Sequence, residues 1–154
     1  MTLHHDPIAL FCTPWFVSAF VGWMLAQTIK MTVGLIRTRH MDFRYLLSTG
    51  GMPSAHSSLV CALFTSFGLT EGFGAPVTML AFAFAVITMF DAASVRRASG
   101  LQATVLNQII QEVFKEHRLS QTKLKELLGH TRKEVFAGMF LGIAVALLIV
   151  SYWR

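Results

Sequence analysis

The chain has 154 residues, of which 54% are hydrophobic and only 14% are charged, and its mean hydropathy is +0.57. These values fall outside the range of ordinary soluble domains and indicate an integral membrane protein. A formal charge of +5 and a pI near 9.7 would also suit a nucleic-acid partner. The apolar runs and the lack of a basic tract instead favour basic loops facing a membrane together with a basic pocket, so no nucleic-acid partner is expected.

Four apolar segments predict membrane-spanning helices: Ile8 to Ile29, Ser54 to Leu69, Val77 to about Ala93, and Val135 to Trp153. The first is long enough to cross a hydrocarbon core of about 30 Å. Lys30 is expected to end it, and the mixed stretch from Met31 to Ser48 is expected to lie at the membrane interface.

The region between the third and fourth spans has a different pattern. From Leu101 to Arg118, apolar residues recur at helical spacing with polar residues between them. This predicts an amphipathic helix on the membrane or against the bundle. A short helix from Ser120 through Leu128 is expected to follow, ended by Gly129. The predicted fold is all-α: a single domain over residues 1–154, with about four transmembrane helices and an amphipathic interfacial helix.

The basic residues predict the orientation of this bundle. With four spans, the segments before the second and the fourth lie on one side of the membrane. That side holds twelve of the thirteen Lys and Arg residues, all except Arg154. The positive-inside rule therefore predicts that this side is cytoplasmic and that both termini are outside.

A turn from Gly50 to His56 leads into the second span. Its glycines allow unusual backbone angles, and Pro53 restricts the residue before it. Ser54 is placed to cap a helix whose first turn carries Ala55 and His56. A helix start with backbone N–H groups, a hydroxyl and an imidazole can bind a phosphate, although the same pattern also serves as an ordinary helix start.

Ionisable residues at the ends of the other spans are predicted to lie at the same membrane face. Lys30 and Arg37 are seven residues apart, so a continuous helix would place them on one face, where they could bind one anion or simply snorkel toward water. Arg96 and Arg97 follow the third span. They could add guanidinium groups to a site or mark the cytoplasmic end of the helix.

His130 and Glu134 precede the last span and are four residues apart. A carboxylate at this spacing can hold one ring nitrogen of the imidazole and leave the other free for nucleophilic attack. The alternative is structural, because Thr131 and Glu134 also fit a capping box.

Taken in order, three short motifs resemble the signature of the type 2 phosphatidic acid phosphatase superfamily, which includes the vanadium-dependent haloperoxidases. They are Lys30-x6-Arg37, Pro53-Ser54-Ala55-His56 and His130-x3-Glu134. The stretches from Asp91 to Ala103 and from Glu126 to Thr131 further resemble the small divergent bacterial and plastid branch. The resemblance covers roughly residues 20–145.

This resemblance implies a role for each matched residue. His130 would be the nucleophile that takes the phosphoryl group, Glu134 would orient it, and His56 would protonate the leaving oxygen. The phosphoryl oxygens would be stabilised by Lys30, Arg37, Ser54 and the amides around Ala55. No metal or other cofactor is expected, since these cations would neutralise the phosphate.

The chain departs from the superfamily pattern at four positions, where Thr38, Ala55, Leu124 and Glu134 replace the usual Pro, Gly, Arg and Asp. The loss of the arginine at Leu124 is the most serious. We hypothesise that Arg97 or Arg96 supplies that guanidinium from the end of the third span.

The resemblance therefore predicts a phosphatase of the bacterial cytoplasmic membrane, with its site at the cytoplasmic face. Its substrate would be a lipid phosphate monoester such as phosphatidic acid, phosphatidylglycerol phosphate or a polyprenyl phosphate. A catalytically degenerate lipid-phosphate-binding or assembly subunit is the alternative, followed by a vanadate-dependent haloperoxidase. A bundle this thin could also form a homodimer.

Overall fold

A computed structural model describes residues 7–39, 51–113 and 130–153, which are helical apart from short turns and contain no strand. After a 3-10 turn at Pro7–Cys12, these ranges form α1 (Pro14–Thr38), α2 (Ala55–Thr70), α3 (Pro76–Phe90), α4 (Arg96–Val113) and α5 (Arg132–Trp153). A π-helical turn, Asp91–Val95, joins α3 to α4. The predicted all-α fold is confirmed.

Side-chain caps fix where three of these helices begin. The Thr13 hydroxyl accepts a hydrogen bond from the Phe16 amide at 3.2 Å, and the proline at the first position of α1 needs no partner for an N–H. Ser54 caps α2 in the same way through the Ser57 amide. The Thr131 hydroxyl accepts from the Glu134 amide at 3.4 Å at the start of α5.

Helix α2 is the centre of the bundle and packs against α1, α3 and α5. It is antiparallel to α1, because Trp15 near the start of α1 donates to the Thr70 hydroxyl at the end of α2, with 2.6 Å between Nε1 and Oγ1. Further along, the Ser58 hydroxyl donates to the Gly22 carbonyl at 2.8 Å. The ends of α1 and α3 therefore lie beside the starts of α2 and α5.

Two glycines bring α5 against α2. A Cβ atom at Gly138 would collide with the backbone carbonyl oxygen of Ser54, and one at Gly142 with that of Ser58. The facing surface of α2 is also made of small side chains, several of them serines. Such small-residue contacts let membrane helices approach closely without any apolar driving force from water.

Within the described ranges, three segments are long and apolar enough to cross a membrane: Pro14–Ile36, Pro76–Ile110 and Arg132–Trp153. Helix α2, Ala55–Thr70, is a shorter apolar helix of 16 residues, or about 24 Å. These four helices correspond to the four predicted spans. The segment Arg96–Val113 is amphipathic, as predicted, and its exposed apolar residues include Leu101, Val105 and Ile109.

The structure differs from the sequence prediction at two helix boundaries. Helix α1 does not end at Ile29 but continues through Lys30 to Thr38, because lysine is a good helix former and its side chain is buried within the bundle. The third span and the amphipathic helix are not separate, since the π turn keeps the chain helical between them. The predicted helix from Ser120 to Leu128 lies outside the described residues.

Candidate functional site

His130 and Glu134 form the predicted pair. The ring nitrogen Nδ1 of His130 lies 3.0 Å from Oε2 of Glu134, and the His130 side chain is buried. His130 precedes the cap of α5, so the contact does not run along a helix face. It forms because the Glu134 side chain reaches back past the helix start. A carboxylate at Nδ1 holds the proton there and gives the lone pair to Nε2.

The capping box is also present, beside the contact between Glu134 and His130. Oε2 of Glu134 accepts the Thr131 amide at 3.2 Å while the Glu134 amide donates to the Thr131 hydroxyl. The same carboxylate atom therefore fixes the first turn of α5 and the imidazole beside it. This fixes the position of His130 relative to the helix axis.

The turn before α2 lies directly against this pair. The Ser54 amide donates to the Glu134 carbonyl at 3.0 Å, and the Ser54 side chain is buried. Its hydroxyl accepts from the amide and the hydroxyl of Ser57, at 3.4 and 3.1 Å. Because the Ser54 oxygen already accepts two hydrogen bonds, its O–H can serve as a donor. A phosphoryl oxygen is an acceptor and could receive that hydrogen bond. Ser57 is a contributor that the sequence motifs did not indicate.

Lys30 brings a cation to the same place. Its side chain is only 4% exposed and lies against Gly51, where a Cβ atom would be 3.4 Å from Lys30 Cγ. Gly51 has a φ of 96°, a backbone angle that other residues adopt only with strain. The charges of Lys30 and Glu134 also interact. The close approach of the turn to Lys30 thus depends on glycine.

Ala55 and His56 occupy the first turn of α2, next to Ser54. Ala55 is buried, whereas the His56 side chain is exposed. The first amides of a helix have no carbonyl partner within it, and their N–H groups and the helix dipole attract an anion. The exposed position of His56 suits a group that exchanges protons with water.

The three predicted arginines are only partly described. Arg37 lies in the last two turns of α1 on the same continuous helix as Lys30, while Arg96 and Arg97 begin α4 directly after the π turn. The side chains of all three lie outside the described part of the structure. Whether they reach the site therefore stays a prediction.

Arg132 is a cation that the motifs did not single out. It is exposed in the first turn of α5, two residues after His130, and lines a groove between α3 and α5. The sequence signal for Arg132 is its place directly after Thr131, the predicted helix cap. The structure shows that this position is also close to the end of the third span.

The arrangement favours an anion. Helices α2 and α5 both begin here, and each contributes the positive end of its dipole. Lys30 adds an amino group that is buried in the bundle, where a cation attracts an anion more strongly than it does in water. Among the described residues, the site joins Lys30, Ser54, His130 and Glu134 as the sequence predicted.

The chain is similar to known proteins over most of its length. Residues 11–145 match the family model described as the divergent PAP2 family. Over 148 aligned residues the chain is 38% identical to YuiD of Bacillus subtilis (strain 168), an uncharacterized membrane protein, with 89% of this chain and 94% of YuiD covered. No solved structure matches. The matched range contains Lys30, Ser54, His130 and Glu134. The similarity to a membrane protein and the three long apolar segments of the described ranges together identify an integral membrane protein.

Proposed function

The chain belongs to the divergent PAP2 family, and from this premise we propose that it is a membrane phosphatase that hydrolyses a lipid phosphate monoester through a phosphohistidine. The observation that carries the proposal is the contact between His130 and Glu134, buried beside the capped start of α2. When a carboxylate holds the proton of a histidine on Nδ1, Nε2 carries the lone pair and can attack an electrophile such as phosphorus. The surrounding positive charge suits a phosphoryl group.

The first step transfers the phosphoryl group. Nε2 of His130 attacks phosphorus, the bond from phosphorus to the lipid oxygen breaks, and His56 gives that oxygen a proton so that the lipid leaves as an alcohol. Negative charge on the three equatorial oxygens is stabilised by Lys30, the Ser54 hydroxyl and the first amides of α2. Glu134 stabilises the positive charge that grows on the imidazole.

The second step returns the enzyme to its starting state. Neutral His56 takes a proton from a water molecule as that water attacks phosphorus, and the bond from phosphorus to Nε2 breaks. Inorganic phosphate leaves, His56 is protonated again, and Nε2 regains its lone pair. The residues that carry the charge in both steps are side chains and amides of the protein, so the proposed reaction is independent of metal ions.

We propose that this site lies at the cytoplasmic face of a bacterial membrane, since twelve of the thirteen Lys and Arg residues lie in the sequence ranges 30–53 and 94–134, which lead into α2 and α5. A site between helix ends suits a substrate whose tail remains in the bilayer.

A second candidate is a lipid-phosphate-binding subunit without turnover. Two observations favour it: Glu134 has a sufficient structural role as a cap, and Nε2 of His130 is inaccessible to solvent in this structure. A phosphatase must open a path to this atom, whereas a subunit that only binds the anion need not.

Phosphate release distinguishes the two candidates. Detergent-purified protein is given phosphatidic acid, phosphatidylglycerol phosphate and a polyprenyl phosphate in the presence of EDTA, as wild type, His130→Ala, His56→Ala and the control His5→Ala. We expect release from at least one lipid, abolished by the first two changes and kept by the third. Release from none of the lipids, with binding retained, would establish the non-catalytic subunit. Bromide oxidation that appears only with vanadate would select a haloperoxidase instead.

A further inference from the structure

A groove of about 410 Å³ runs between the end of α3 and the start of α5. Its walls include Val86, Met89 and Ala93 on one side and Val135 and Phe136 on the other, with Arg132 at one end. This volume is within the range of sites for small molecules, roughly 300–1,000 Å³. The anion-binding residues described above do not line it.

The groove is apolar along its length. The Ser94 hydroxyl, which lines the groove, donates to the Phe90 carbonyl at 2.5 Å and therefore needs no hydrogen bond from a bound molecule. This bond lies where the π turn begins, and π turns in helices are frequent at functional sites. Apolar walls with satisfied polar groups suit a hydrocarbon chain.

The charge and position of Arg132 indicate where the headgroup of a bound lipid would lie. Arg132 is exposed, and its helix turn also contains Glu134, which holds His130. Both walls belong to segments that are long and apolar enough to span a membrane. A lipid lying along the groove with its anionic end at Arg132 would therefore have its headgroup beside the start of α5 and its tail at membrane depth.

We propose that this α3–α5 groove binds one hydrocarbon chain of the lipid phosphate and that Arg132 contacts the headgroup. The proposal rests on the function proposed above for the substrate class. It adds a tail-binding site and a residue that distinguishes an anionic lipid from the surrounding bilayer lipid.

Photo-crosslinking tests the groove without any need for turnover. The protein is placed in nanodiscs with phosphatidic acid that carries a diazirine in one acyl chain, or with phosphatidylcholine that carries the same chain, and labelled peptides are mapped. We expect the phosphatidic acid probe to label Met89 to Ala93 and Val135 to Phe136 about tenfold more than the phosphatidylcholine probe, since the net negative phosphate monoester bonds Arg132 more strongly than the zwitterionic headgroup does.

Two variants and a matched control sharpen the test. Val86→Trp fills the groove and should remove most of the labelling, whereas Ile87→Trp changes the adjacent residue of α3, which is exposed and not part of the groove. Arg132→Gln should bring the phosphatidic acid labelling down to the phosphatidylcholine level. Because all three side chains are exposed, the variants should fold.

Equal labelling by both probes would overturn the proposal and identify ordinary bilayer lipid in the groove. Absence of lipid labelling at Val135 to Phe136, in a protein that is a dimer in the nanodisc, would overturn it in favour of a dimer contact. Groove labelling that depends on Arg132 in a protein that releases no phosphate would uphold the groove and contradict the phosphatase.

Discussion

At the scale of single residues, Glu134 combines two functions in one carboxylate atom, which binds the His130 ring and the Thr131 amide. Glutamine can still serve in a capping box, but it cannot stabilise a positive imidazole. We therefore expect Glu134→Gln to lower turnover by about 10²-fold with little change in thermal stability. The measurement is phosphate release together with the melting temperature in detergent.

Thr131→Ala is the matched control for this variant. It removes the hydroxyl that accepts from the Glu134 amide and should cost about 1 kcal/mol of stability, while turnover at a temperature below melting stays near that of wild type. Full activity in Glu134→Gln would contradict the proposed role of the carboxylate.

Lys30 allows a second prediction at this scale, because it is a cation buried in the bundle. A buried charge is costly to keep dehydrated, and an apolar side chain of similar length often stabilises the fold. Lys30→Met should therefore preserve or raise the melting temperature while it lowers kcat/KM by about 10²-fold or more, since a phosphate contact is lost. Its control is Lys133→Met, an exposed cation in the first turn of α5.

Loss of stability and activity together in Lys30→Met would show that Lys30 serves the fold through its interaction with Glu134. Loss of activity alone would show that the charge is retained for the substrate.

At the scale of helices, the close approach of α5 to α2 depends on Gly138 and Gly142. We expect Gly138→Ala to destabilise the bundle by about 1–3 kcal/mol, since the added methyl group meets the Ser54 carbonyl and overpacks the interface. Gly74→Ala, where no atom lies within 4 Å of the added Cβ, should have a much smaller effect. Unfolding in detergent measures both.

Gly138→Ala also separates packing from catalysis when it is compared with Gly142→Ala. Both changes overpack the same interface, but only the first displaces the Ser54 carbonyl at the start of α2. At temperatures where both variants remain folded, Gly138→Ala should therefore lose more activity. Equal activities would mean that the start of α2 tolerates displacement.

Helix starts could be predicted from the sequence because they depend on a few neighbouring residues. The Ser54 cap and the contact between His130 and Glu134 are both short-range, and both are present. The burial of Lys30 could not be predicted, because it depends on a turn more than twenty residues away in the chain. In the same way, the π turn gave no signal, since a single added residue in a helix leaves the hydrophobic pattern on each side intact.

At the scale of the whole molecule, the site results from the alternation of helix direction. Helix α1 is antiparallel to α2, and α5 is parallel to α2, so one end of the bundle collects two helix starts and the end of α1. The two positive helix dipoles and Lys30 are thereby placed together although they are far apart in sequence. The order of motifs could indicate this convergence, but only the packing shows which side chains are buried.

The orientation of the bundle in the membrane gives the last prediction. In a variant without Cys12 and Cys61, single cysteines are placed at Lys133, at the site end, and at Gly74, in the turn between α2 and α3 at the opposite end. Because twelve of the thirteen Lys and Arg residues lie in the sequence ranges 30–53 and 94–134, which lead into α2 and α5, the positive-inside rule predicts that the site end is in the cytoplasm. In intact bacterial cells whose outer surface is reached by a membrane-impermeant maleimide, Gly74→Cys should be labelled and Lys133→Cys only after permeabilisation. The reverse pattern would place the site outside and make the outer leaflet the source of the substrate, because a headgroup cannot reach the start of α5 from the opposite surface.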